Sequence, residues 1–318
     1  MITKETIHAT ALELNRLAAI QIPADAREAV QRMYERETKT LSKYVLGQIL
    51  ENYRVAVKEQ RPMCADTGLP RFYAKLGNDA VVEGGMVALE GAIRHATAVA
   101  TADIPIRPNR VHPLSRRDQN NNVGIHSPTV DYSFEPDAEW LDLTVVHKGG
   151  LFGGDYRMLF PADGIPGLKR FLLDSISEFF RRGMSCQPVV VGLGIGGTKD
   201  VCVRLAKEAA CLRIIGDRNP DPEVAILEAE LMDLGNSTGF GVMGLPGSGA
   251  IMDVHVEVAY THTGGMPVSI QHFCFAHRRM SARIEADNSI DFREDPRWFT
   301  PFYRRDSIGY DGIEEPAA

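Results

Sequence analysis

Nowhere in the 318 residues does an apolar run approach the roughly 18–20 uninterrupted residues that a membrane-spanning helix needs. The opening stretch, Met1-Ile-Thr-Lys-Glu-Thr6, carries no apolar core of the kind a secretory signal requires. The cysteines are few and odd in number, five in all, and no two stand at C-x-x-C spacing. That is not a disulfide framework. A cation excess is missing too: 35 Lys and Arg against 42 Asp and Glu give a net charge of −7. A nucleic-acid partner is not expected, because phosphate binding needs clustered positive charge. Together these absences point to a cytoplasmic protein, or one in an equivalent reducing compartment, without membrane or nucleic-acid attachment. Arg107, Arg110, Arg116 and Arg117 still form a local positive patch that a small anionic substrate can use.

What is present is ordinary for a soluble globular chain, with 44% hydrophobic and 24% charged residues and length enough for a sizeable core. Residues 5–60 read as helices, since Leu12, Leu14, Leu17 and Ala18, then Leu41, Tyr44, Val45, Ile49 and Leu50, recur at helical spacing. Pro62 and Gly68-Leu69-Pro70 punctuate a loop that holds Cys64. A helix is predicted over about 82–99. Residues 107–128, rich in Arg, Asn and Pro, read as a long ordered loop of the kind that often carries function. Alternation of Leu141, Leu143 and Val145 predicts a strand over 140–147, and a glycine-rich segment, Gly149 to Gly154, follows it. Further helices are predicted at 165–182, 199–212 and 221–234, a buried strand at Pro188–Gly192, and a sheet region at 251–275. With no linker in view, residues 1–300 read as one domain and 301–318 as a polar tail. Helices and strands without regular βαβ alternation place the fold in the α+β, or irregular α/β, class: a mixed sheet with flanking helices.

Four constellations can carry chemistry. Cys64 lies in a loop, Cys186 just before a strand and Cys274 at a strand end, whereas Cys202 and Cys211 fall inside a helix among apolar residues. The last two read as core thiols, because a free cysteine packs as a small hydrophobe. The loop thiols are open to three readings: buried thiols, a nucleophile, or soft ligands for zinc or an iron–sulfur unit. Next, Gly192-x-Gly194-x-x-Gly197 matches a dinucleotide fingerprint formally, but the acidic residue that such a site wants does not follow. Lys199 comes after Thr198, so a P-loop is excluded. The alternative is a tight turn with close helix packing. Third, His262 in Tyr260-Thr-His-Thr-Gly-Gly265 is either a titrating group or a surface-loop histidine. His255, in the alternating strand, reads as solvent-facing or hydrogen-bonded. Last, Asp66 either orients a reacting group beside Cys64 or organises the turn Asp66-Thr67-Gly68.

Taken in order, these pieces resemble the α subunit or N-terminal domain of class I fumarate hydratases and L-tartrate dehydratases. The matching stretches are Cys64-Ala-Asp-Thr-Gly68, His147-Lys-Gly-Gly150, Cys186-Gln-Pro188 through Gly192-Leu-Gly-Ile-Gly-Gly-Thr198, Leu231-Met-Asp through Gly239-Phe-Gly241 and Gly244-Leu, and Tyr260-Thr-His262 through Pro267-Val268 to Cys274. The resemblance spans about residues 60–280. It implies a [4Fe–4S] cluster held by loops through Cys64, Cys186 and Cys274, with one iron left open as a Lewis acid. Cys202 and Cys211 remain the core pair. It further implies that Arg107 binds a substrate carboxylate, that Asp66 and His262 stand at active-site positions, and that Gly150 belongs to a segment lying against the substrate.

The implied activity is that of a hydro-lyase, the reversible removal of water from a small hydroxy-dicarboxylic acid such as tartrate or malate. Two departures turn the expectation away from fumarate itself. Ala65 stands where family fumarases carry a substrate-contacting Gln, and Arg117-Asp-Gln-Asn-Asn-Asn-Val-Gly-Ile-His126 replaces an Asn-Thr-Gly-rich segment. The family's second domain is not in the chain, so a separate β subunit is expected, in a homodimer or an α2β2 assembly. The reading set against this one is a non-catalytic module, bearing a cluster or zinc, that binds a metabolite or serves regulation. A mononuclear zinc hydrolase is a third.

Overall fold

Apolar residues occupy both faces of most strands: helices cover one face of each sheet, while Tyr73, Val146, Val190, Met252 and Phe273 from the opposite faces join a shared core. The computed structural model describes residues 1–104, 106–149 and 154–299. Gly150 and the tail 301–318 lie outside the described residues. Three helices come first: α1 (Lys4–Ile20), α2 (Ala24–Arg36) and α3 (Thr40–Glu59). They are followed by β1 (Leu69–Gly77), α4 (Gly85–Asp103), β2 (Thr129–Glu135), β3 (Leu141–Lys148) and β4 (Gly154–Leu159). Then come α5 (Gly164–Arg181), β5 (Val189–Gly196), α6 (Lys199–Leu212), α7 (Pro222–Asn236), β6 (Ile251–Ala259), β7 (Met266–Cys274), β8 (Arg279–Ile284) and β9 (Ile290–Arg293).

The strands form two mixed sheets rather than one, within the α+β class expected. One runs β2-β1-β3-β8-β9 and the other β4-β7-β5-β6. Among these strand pairs, β1 with β2 and β5 with β6 are parallel and the rest antiparallel. In the first sheet Phe72, Ala74, Leu143, Val145 and Met280 share a face that packs on Ile7, Ala11 and Leu14 of α1 and on Leu89, Ile93 and Ala96 of α4. In the second, Val189, Val191, Leu193, Val254 and Val256 pack against Leu168, Phe171, Leu172 and Ile176 of α5 and Leu231 of α7. Those α5 residues lie three and four apart, on one side of the helix. No helix among the described residues is long and apolar enough to cross a membrane.

The glycine run proves to be a packing device. Gly192, Gly194 and Gly196 belong to β5, and α6 lies directly on that strand. A Cβ at Gly192 would fall 2.2 Å from the carbonyl oxygen of Ala206, and one at Gly194 would fall 2.1 Å from that of Cys202. No other residue type fits so close a backbone approach. The dinucleotide reading is therefore set aside in favour of the packing reading.

Candidate functional site

Strand pairing brings two of the loop cysteines together. Cys186 lies three residues before Val189, which opens β5, and Val189 is paired with Cys274, the last residue of β7. The amide of Phe275 donates to the carbonyl of Cys186 at 3.4 Å, and that of His277 donates to the carbonyl of Cys274 at 2.9 Å. The buried Tyr53 hydroxyl ties the same corner to α3 by donating to the carbonyl of Phe275 at 2.6 Å. Cys64 arrives from the loop between α3 and β1. That loop is pinned by Met63, a core residue whose amide donates to Ala19 and whose carbonyl accepts from Asn52. Cys64 and Cys274 pack against one and the same core cluster.

Electrostatics link the third thiol to the other two. Cys186 is open to solvent on one side. Partial burial nonetheless pushes its pKa up to about 11, with Cys274, Cys64 and Asp66 pushing the same way and Arg278 opposing them. Three thiols and a carboxylate at one spot disfavour any further negative charge there unless a cation joins them. Among the described residues, no group of three or more His, Cys, Asp or Glu side chains closes around a single-ion position. Cys202 and Cys211 are both fully buried, and Cys202 Sγ reaches the carbonyl of Gly194 at 3.1 Å. Burial pushes Cys202 up to about 12. Both thiols are core residues, in keeping with their helical setting in the sequence.

Asp66 fulfils its turn role with one oxygen and leaves the other free. Oδ1 accepts from the amide of Gly68 at 3.0 Å, an Asx-turn, and from Asn109 Nδ2 at 3.0 Å. Oδ2 faces Gly149, where a Cβ would fall 2.6 Å from it and 3.1 Å from Arg278 Nη2. Arg278 is 1% exposed. Its Nε donates to the carbonyl of His147 at 3.2 Å, while its own carbonyl accepts from the amide of His147. Burial, with Arg278 adding to it, lowers the His147 pKa to about 3, so this ring is neutral; its Nε2 lies 2.9 Å from Asn15 Oδ1.

The long loop is wired to the cysteine loop through its backbone. The Arg107 amide donates to Thr67 Oγ1 at 2.9 Å, and its carbonyl accepts from Asn122 Nδ2 at 3.1 Å. Fully buried Asn122 also holds the amide of Asn109. Arg107 thus has a fixed main chain beside Asp66 and an exposed side chain.

His262 stands apart from this group. It occupies the turn between β6 and β7, with its Nδ1 accepting from the amide of Gly264 at 3.0 Å. That turn is at the far end of β5 from the cysteines, seven residue steps away, or roughly 20 Å or more at about 3.3 Å per strand residue. Gly150, the remaining site residue read from the sequence, falls outside the described residues. His255, read as solvent-facing or hydrogen-bonded, is neither: it is fully buried and neither ring nitrogen has a hydrogen-bond partner. Sequence reasoning missed Asn109, Asn122 and Arg278. The triple asparagine 120–122 was the available sign for Asn122, and the Asn-rich make-up of the 107–128 loop the sign for Asn109, since asparagine organises loops through its side chain. Arg278 had none.

Comparisons with known proteins identify the family. The sequence profile of the family described as fumarate hydratase (Fumerase) matches residues 8–283. A putative L(+)-tartrate dehydratase subunit alpha from Methanocaldococcus jannaschii is 40% identical over 284 residues, covering 88% of this chain and 98% of that protein. The L(+)-tartrate dehydratase subunit alpha of Escherichia coli is 30% identical over 277 residues, covering 86% of this chain and 89% of its own length. This chain belongs to the fumarate hydratase family.

Proposed function

We propose that the chain is the α subunit of an iron–sulfur-dependent hydro-lyase that removes water from, or adds it to, a small hydroxy-dicarboxylate. Family membership supports the hydro-lyase chemistry. The observation that carries the finer reading is the meeting of three cysteine-bearing loops with Asp66 and Arg278 at one end of β5 and β7.

The donor set fits a [4Fe–4S] cluster. Thiolates suit such a unit, and three of them leave one metal corner unligated by protein. Cys64, Cys186 and Cys274 would hold the cluster. When bound, it supplies a Lewis-acidic metal that makes hydroxide a better leaving group.

The chain's own residues supply binding and orientation. Arg107, anchored through Thr67 and Asn122, pairs with a substrate carboxylate and offsets the negative charge that develops when the neighbouring C–H proton leaves. Asp66 Oδ2, held in place because Oδ1 is doubly bonded, accepts a hydrogen bond from the substrate hydroxyl. Relatives named as alpha subunits support a separate β subunit, which would contribute the base.

Anaerobic co-expression with a β subunit, followed by iron and sulfide analysis and a panel of hydroxy-dicarboxylates, tests the proposal. Expected are roughly four irons and four sulfides per chain, lost in Cys64→Ser, Cys186→Ser and Cys274→Ser but not in Cys211→Ser, together with water loss from at least one panel member. Full turnover by metal-free protein would sink it.

A further inference from the structure

We propose that Arg278 binds the substrate carboxylate next to the reacting hydroxyl, and that Arg278 and Asp66 together select an acid with a hydroxyl on the carbon adjacent to its carboxylate. This rests on the hydro-lyase reading above and names a recognition element that the family resemblance did not supply.

The fold treats two neighbouring arginines, Arg278 and Arg279, differently. Arg279 is fully buried and, although its Nε lacks a partner, its charge is matched by a carboxylate. It pairs with Asp25 at 2.8 Å, donates to the carbonyl of Arg213 at 3.1 Å and lies 3.0 Å from His277 Nε2. The side chain of Arg278, equally enclosed, makes one hydrogen bond among the described residues, from Nε to the carbonyl of His147. Its Nη1 is buried without a partner. No carboxylate among the described residues forms an ion pair with it. A guanidinium stays charged at every relevant pH, and burying one without an anion is costly. A fold that supplies a carboxylate at one position and none among the described residues at the next has an anion to come at the second.

Position identifies that anion. Nη2 lies against Gly149 on the side where Asp66 Oδ2 also points, and Asp66 and Arg278 are not bonded to each other. Any side chain at Gly149 would fill the space between them. A donor edge and an acceptor oxygen facing one gap match a carboxylate and a neighbouring hydroxyl: the carboxylate accepts from Arg278 while the hydroxyl donates to Asp66. Arg107 lies on the neighbouring loop with an exposed side chain and takes the second carboxylate. Two guanidinium groups of contrasting setting then account for a dicarboxylate. The buried one reads the reacting end and the exposed one the remote end.

The test uses the assembled holoenzyme with Arg278→Lys and Arg278→Gln. The readouts are iron content, melting temperature, and inhibition by succinate and by its monoamide, succinamate. Losing a charge-assisted pair is expected to raise the succinate inhibition constant about 10- to 100-fold in Arg278→Gln. The preference for succinate over succinamate should shrink towards one, and Arg278→Lys should recover part of it. Iron content in Arg278→Lys should match wild type. A merely structural arginine would weaken both inhibitors alike and leave the preference intact, which overturns the proposal. An active wild type whose variants keep its inhibition constants and selectivity removes the Arg278 assignment alone. A wild-type assembly that neither binds nor dehydrates any hydroxy-dicarboxylate removes the functional reading, and this assignment with it.

Discussion

Cys202 holds its sulfur 3.1 Å from the carbonyl oxygen of Gly194, and the carbonyl of Cys202 occupies the place where a Gly194 side chain would begin. Helix α6 is therefore seated on β5 at backbone distance, and β5 is the strand that Cys186 precedes. Gly194→Ala is expected to cost at least about 3 kcal/mol, above the usual overpacking range because the clash is with backbone. Gly91→Ala, in α4 with open space at its Cβ, is the control and should gain up to about 1 kcal/mol. Urea unfolding of the two variants beside wild type measures both. Equal midpoints would refute the close-packing account of the glycine run.

The pair formed by Asp25 and Arg279 gives the fold an acid limit. Burial alone would raise the Asp25 pKa, but Arg279 and the amide of Ile215 outweigh it and bring it from 3.8 to about 2. A carboxyl depressed in the folded state contributes stability that is complete above its unfolded pKa and is lost as pH falls through the folded one. The contribution is about 2 kcal/mol, present above roughly pH 4 and disappearing towards pH 2. Asp25→Asn should remove that segment of the pH–stability curve. It should also cost about 3–5 kcal/mol at neutral pH, because Arg279 is left buried and unpaired. Denaturant midpoints across pH 2–7 test both parts.

These two devices differ in how far they can be read without coordinates. Helix α5 is legible because Leu168, Phe171, Leu172, Ile176 and Phe179 recur at helical spacing and are buried as that spacing implies. Strand β1 is not legible. Pro70 suggests a turn, and Arg71 and Lys75 suggest a solvent face, yet Lys75 is 1% exposed and donates to the carbonyl of Arg297. Tertiary cover decides the burial of a long polar side chain, and no local pattern reports it. His255 misleads for the same reason: β6 alternates as a half-exposed strand would, but both of its faces are covered along most of its length. At the site, the cysteines stand out because they flank loops and strand ends. Arg278 does not, because an arginine doublet after a strand reads as surface, and only its enclosure beside Asp66 and Gly149 reveals a role.

Asn109 should be a positioning residue for Asp66. Its amide donates to Asp66 Oδ1 at 3.0 Å and to the carbonyl of Gly68 at 3.1 Å. Asn109→Ala leaves the Gly68 amide as the remaining bond to Asp66, so the carboxylate stays in its turn but can rotate. Turnover of the assembled enzyme should fall about tenfold, with iron content retained and a stability loss of about 1 kcal/mol, the usual net worth of a hydrogen bond. Loss of iron in proportion to activity would instead make Asn109 a support of the Cys64 loop.

His262 offers the sharpest contrast between family position and place in this chain. Its ring accepts from the amide of Gly264 in an exposed turn, and the length of β5 separates it from Cys186 and Cys274. No side chain spans that distance, so within one copy of the chain His262 cannot touch a ligand bound among the cysteines. His262→Ala is therefore expected to leave the iron content of the isolated α chain unchanged. The cost in stability should be about 1 kcal/mol or less, the worth of one exposed turn hydrogen bond. If the same substitution lowers turnover of the assembled enzyme, the histidine must act across a subunit boundary, because only another chain can bring the turn to the site. A fall in the iron content of the isolated chain would contradict the separation of the two ends of the sheet.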